Sequence, residues 1–120
     1  MIPISPSRHI SVRLSRTPTR TAPVTLSSRI RTKKGEILDG EFLRLELGDV
    51  LRLRDYLTYG LHMDRVMSSG NMVLKMMRIG NRIVITSYRG SPRAIVVPVH
   101  LAHVLRDYLN DAIQILTTPY

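Results

Sequence analysis

The sequence predicts an α+β fold: antiparallel sheet backed by helices, in a strands-then-helix unit that occurs twice, preceded by a basic N-terminal arm. Three observations carry this expectation. Near the C-terminus, Leu101, Val104, Leu105, Tyr108, Leu109, Ala112, Ile113 and Leu116 recur at i, i+3, i+4 and i+7, with His103, Arg106, Asp107, Asn110, Asp111 and Gln114 opposite them, which is the pattern of an amphipathic helix. The pentapeptide LRDYL stands at 53–57 and again at 105–109, and Leu43, Leu45 and Leu47 fall at the same offset from Ile95, Val97 and Val99. Between these stretches lie short β-rich runs bounded by turn dipeptides.

Taken in order, residues 1–22 hold Pro3, Pro6 and Pro18 among Ser, Thr and Arg, without sustained periodicity, and read as a flexible basic arm. An Arg/Ser-rich, acid-free start of this kind also resembles an organellar transit peptide. From residue 23 to 120 we expect a single domain with pseudo-repeats at about 23–66 and 71–116. Val24, Leu26 and Ile30 alternate with polar residues as in a strand. Lys34-Gly35 and Asp39-Gly40 are turn dipeptides that bracket a short strand, GEIL. Phe42–Leu47 alternates Leu43, Leu45 and Leu47 against Arg44 and Glu46. Asp49 can cap a helix over about 49–60 whose stripe is Val50, Leu53, Leu57 and Leu61. Gly60 and Ser68-Ser69-Gly70-Asn71 break the pattern and connect the halves. Met72–Ile79 and Arg82–Tyr88, joined by Gly80-Asn81, form a hairpin signal, and the turn Arg89–Pro92 leads into a strand at Ala94–Val99. Pro98 closes that strand before the long helix.

Composition bounds the function. No apolar run approaches the eighteen or so residues of a membrane span. Without cysteine there is no disulfide and no thiolate-metal site. The 18 Lys+Arg against 9 Asp+Glu point to a polyanionic partner. The charge is uneven: residues 1–35 carry eight basic groups and no acid, residues 71–100 five basic groups and no acid, and the blocks between are mildly acidic.

No catalytic constellation is present: there is no phosphate-binding Gly-rich loop, no HExxH and no GxSxG, so an enzyme is not expected, nor a cofactor or a small-molecule substrate. His100 and His103 lack nearby carboxylates and read as packing or surface residues rather than metal ligands. Met63, Met67, Met72, Met76 and Met77 read as core and interface filler. The basic strand block is the candidate site. Lys75, Arg78, Arg82, Arg89 and Arg93 are placed to follow a phosphate backbone, Tyr88 to stack on an unpaired base, and Arg29, Arg31, Lys33 and Lys34 to extend the footprint.

The stretch MVLKMMRIGNRIVITSYRGSPRAIVVPVHLAHVLRDYLNDAIQIL (72–116) resembles the second repeat of the Whirly family, with its VLK strand, hairpin, extended IVVPV strand and helix. FLRLELGDVLRLRDYL (42–57) is similar to the strand and helix that close the first repeat, and the pattern also looks like the single-repeat transcriptional coactivator positive cofactor four. The family's Lys-Gly-Lys-Ala-Ala-Leu signature is absent; KKGEIL (33–38) stands near its place. The resemblance implies a curved antiparallel sheet backed by helices, binding of single-stranded DNA, or RNA in some relatives, with little sequence preference, and multimers formed through helices.

The expectation is therefore a non-catalytic protein that binds single-stranded nucleic acid, DNA or RNA, as a homo-oligomer in the cytoplasm or nucleoid. Two alternatives stay open: a structural RNA-binding protein of a ribonucleoprotein particle such as a ribosomal subunit, and an oligomeric scaffold whose helix faces and Met-rich connector make the interface.

Overall fold

Period-two alternation builds two antiparallel sheets, and period-3.6 stripes lay a helix after each. The computed structural model describes residues 2–5, 8–14, 24–60, 67–68, 73–88 and 91–117. The first sheet is β1 (Ile2–Ser5), β2 (Arg8–Leu14), β3 (Val24–Arg31) and β4 (Ile37–Leu45), in that order. Helix α1 (Leu47–Tyr59) follows it. The second sheet is β5 (Met67–Ser68), β6 (Leu74–Ile79), β7 (Arg82–Ser87) and β8 (Arg93–Pro98), and here β5 adds only a two-residue bridge. A 3-10 turn at Val99–Leu101 leads into α2 (Ala102–Thr117). The fold is α+β, and four strands followed by a helix occur twice.

The described part of the stretch expected as an arm carries β1 and β2. β2 pairs with β3 from Arg8↔Ile30 to Leu14↔Val24, and Ile2 and Ile10 are buried. Ile10 lies in the core and Val12 packs against it, so one face of β2 is turned to the core. Residues 15–23 lie outside the described residues.

Two local expectations meet a different chain. Asp39-Gly40 does not turn; it lies inside β4. The helix begins at Leu47, with Glu46 as N-cap, and Asp49 sits one turn inside, where its Oδ2 accepts the Glu46 N–H at 3.1 Å. That is the returning half of a capping box, so Asp49 does satisfy the helix start, from N3 rather than from the cap. The predicted stripe of α1 holds at Val50, Leu53 and Leu57 and gains Tyr56, which is fully buried; Leu61 lies outside the described residues. In α2, Ala102, Leu105, Leu109, Ala112 and Ile113 are buried, Val104 and Leu116 pack at the margin with Leu101 of the preceding turn, and Tyr108 is exposed.

The hairpins close as their residues require. Gly80, at φ +58°, turns β6 into β7 with Ile79 paired to Arg82. Between β3 and β4 the Gly35 N–H bonds the Thr32 carbonyl at 2.9 Å, and Gly35 takes φ +83°.

One hydrophobic cluster joins both units: Ile10, Leu26, Leu43 and Leu45 of the first sheet, Met76, Ile83, Ile85 and Val97 of the second, and the inner stripes of both helices. The helices pack against each other, α1 also touching β6 of the second sheet and α2 touching β2 of the first. β4 and β8, the last strand of each sheet, lie side by side. No helix of the described residues is long and apolar enough to cross a membrane.

Candidate nucleic-acid interface

Because the inner faces of both sheets are committed to the core, alternation fixes which residues face away from it. On β3 the buried set is Val24 and Leu26, so Thr25, Ser27, Arg29 and Arg31 take the other face. Register adds Arg44 opposite Thr25, Phe42 opposite Ser27 and His9 opposite Arg29. The outward face of the first sheet is thus cationic, with Arg31 and Arg44 exposed and Arg29 half-buried. Asp39 stands opposite Arg29 in register.

The second sheet presents a different surface. Leu74, Met76, Ile83, Ile85, Ile95 and Val97 are buried, leaving Lys75, Met77 and Ile79 on β6, Arg82, Val84 and Thr86 on β7, and Ala94, Val96 and Pro98 on β8. Ile79 is 57% exposed and Val96 42%. This face is mostly apolar, with Lys75 and Arg82 as its cations. Tyr88, 47% exposed, follows β7 at its edge, where its N–H bonds the Val73 carbonyl at 2.7 Å.

The two sheets meet at an aromatic ring. Phe42 of β4 lies under the Arg93 guanidinium of β8, 4.4 Å from the ring centroid, with the Arg44 guanidinium at 5.7 Å. A guanidinium resting on a ring is held by cation–π attraction while its N–H edge stays available to an oxyanion.

The sequence-predicted residues therefore divide. Lys75, Arg82 and Tyr88 share the outward side of the second sheet. Arg78 has the core-side parity, and its Nε–H donates to the Gly80 carbonyl at 2.9 Å, which folds it onto the hairpin turn. Arg93 also has core-side parity but reaches Phe42. Arg29 lies on the cationic face of the first sheet, and Arg31, Lys33 and Lys34 crowd its exposed hairpin tip. Arg89 lies outside the described residues. Sequence reasoning passed over Phe42 and Arg44 because the segment around them has a net negative charge. Yet Arg44 alternates against Leu43 and Leu45, and that signal was available.

The repeated LRDYL segments also come together. Arg54 and Asp55 bond each other at 3.2 Å, as do Arg106 and Asp107, and both pairs line one cleft between α1 and α2 with Thr58 and Asn110. Residues of equal position in the two units thus face the same cleft. Among the described residues no three His, Cys, Asp or Glu side chains are grouped to hold a metal ion. No protein-family model matches the chain, and no curated protein matches it significantly.

Proposed function

We propose that this protein binds single-stranded nucleic acid without catalysis, laying the strand across the outward faces of its two sheets. The observation that supports this reading is the contrast between those faces. One is cationic through Arg29, Arg31 and Arg44; the other is apolar through Met77, Ile79, Val84 and Val96. A single strand carries both a charged backbone and unpaired bases with apolar faces, and it gains from both surfaces. A duplex hides its bases and gains from the cationic surface alone. Arg82 and Lys75 flank the apolar face as phosphate partners, and Tyr88 offers a stacking ring at its edge.

The Whirly-like resemblance enters as part of this proposal, in which the duplicated four-strands-then-helix order is what such a protein requires. Homo-oligomers and a cytoplasmic or nucleoid location belong to the same reading. The ribonucleoprotein alternative draws on one feature, the hairpin tip with Arg31, Lys33 and Lys34 exposed side by side, which suits insertion among RNA phosphates.

Fluorescence anisotropy with labelled single-stranded DNA, RNA of the same sequence and duplex DNA, each at low and moderate salt, separates these readings. Salt-sensitive binding that favours single strands supports the proposal. Equal affinity for duplex and single strand contradicts it, and stable co-sedimentation with ribosomal particles favours the alternative.

A further inference from the structure

β3 and β4 do not pair evenly. Between Ser27↔Phe42 and Arg29↔Asp39, β3 advances two residues and β4 three, so β4 carries a bulge at Gly40–Glu41. Gly40 suits the close approach there: a Cβ on it would stand 3.1 Å from the Ser28 carbonyl oxygen and 3.3 Å from Ser28 Oγ. Bulges re-aim side chains, and Glu41 lines an open groove of about 700 Å³ with Arg8 of β2, Ile30 of β3, and Arg82, Val96 and Pro98 of the second sheet. Arg8, Glu41 and Arg82 are exposed, and among the described residues neither guanidinium is bonded to that carboxylate.

A carboxylate that shares a groove with two cations does not suit a surface meant for phosphates alone, because it repels them. It suits a group that donates hydrogen bonds. On a nucleic acid the bases supply such donors, and the Watson–Crick edge of guanine presents two adjacent ones, N1–H and the N2 amino group, which match the two oxygens of a carboxylate. Adenine and cytosine set an acceptor nitrogen beside their amino group, and thymine and uracil flank N3–H with carbonyls, so each opposes a carboxylate at one of its atoms. The guanine edge is open in a single strand and consumed in a duplex.

We infer that this groove is a guanine-selective subsite for one nucleotide of the bound strand. Glu41 accepts from guanine N1–H and N2–H, Ile30 and Val96 contact the faces of the base, and Arg8 and Arg82 bind the phosphates on either side. The inference rests on the single-strand reading above and adds a preference where the outward face of the second sheet meets β4 and the end of β3.

The test uses the full chain and labelled oligothymidine in which one central thymidine is replaced by dG, deoxyinosine, dA or dC. With the wild-type protein, the dG oligomer binds roughly five- to tenfold tighter than the parent, the scale of a good bidentate base contact. Deoxyinosine, which lacks the N2 amino group, gives an intermediate gain, and dA and dC give none. In Glu41→Gln the guanine advantage disappears while affinity for plain oligothymidine is unchanged or slightly raised, since a negative charge is lost. An absent dG advantage, or one that survives Glu41→Gln, overturns the subsite and leaves the single-strand reading standing. If no oligomer binds, both fall together.

Discussion

Arg78 and Arg82 are four residues apart on one hairpin, yet the structure gives them different employment. The Arg78 guanidinium bonds the Gly80 carbonyl, whereas Arg82 is exposed beside the apolar outward face. Replacing Arg82 or Arg31 with alanine should weaken single-strand binding and lower the salt slope of log K by about 0.7 for each phosphate contact removed, while Arg78→Ala should leave the slope nearly unchanged. Affinities measured across a salt series check this directly. Phe42→Ala should weaken binding beyond the loss of one ring, because Arg93 and Arg44 lose the surface that holds them. At this scale the sequence revealed residue types and faces along each strand. What it concealed was that Phe42 and Arg93, 51 positions apart, would touch, since that depends on β4 meeting β8. The groove around Glu41 was hidden for the same reason, joining residues from β2 to β8.

Among the elements, β2 and the paired helices carry the most testable weight. Ile10 is fully buried in the middle of a β2–β3 pairing that spans seven register pairs. Ile10→Ala should cost about 2–5 kcal/mol of stability by removing a packed side chain, and chemical denaturation reads the change. Deleting residues 1–22 should therefore destabilise the fold as well as remove charge. Leu53 and Leu105, at equal positions of the two LRDYL segments, are both fully buried, so their alanine variants should cost similar amounts, again about 2–5 kcal/mol. The Arg54–Asp55 and Arg106–Asp107 pairs are partly exposed, and Asp55→Asn or Asp107→Asn should change stability by less than about 1 kcal/mol. The helices and the Gly80-Asn81 hairpin were legible because their signals are local. The Asp39-Gly40 dipeptide has the composition of a turn but serves a bulge, a distinction set by the Ser28 backbone across the strand pair. The alternation of Ile10 and Val12 likewise needed β3 as a partner before it could be read as a strand.

In the whole molecule, the two units repeat each other in the core and differ on their outer surfaces. Val24 and Leu26 pair with Leu45 and Leu43 as Ile83 and Ile85 pair with Val97 and Ile95, so the inner faces repeat. The outward faces have parted, one toward arginine, the other toward methionine, valine and isoleucine. A protein whose charge served only solubility would have no reason to separate them. The net charge of +9 raises the expectation of a polyanionic partner; that Arg29, Arg31 and Arg44 share one sheet face required the sheets to be seen. The most direct test is amide chemical-shift mapping by NMR on the full chain as single-stranded oligonucleotide is added. Single-strand binding across both sheets predicts perturbations along residues 25–31 and 42–44 of the first sheet and 75–86 and 94–96 of the second, with the buried stripe of α2 at 105–113 unmoved. Perturbations confined to the two helices, or to the cationic sheet with the apolar face silent, would contradict it.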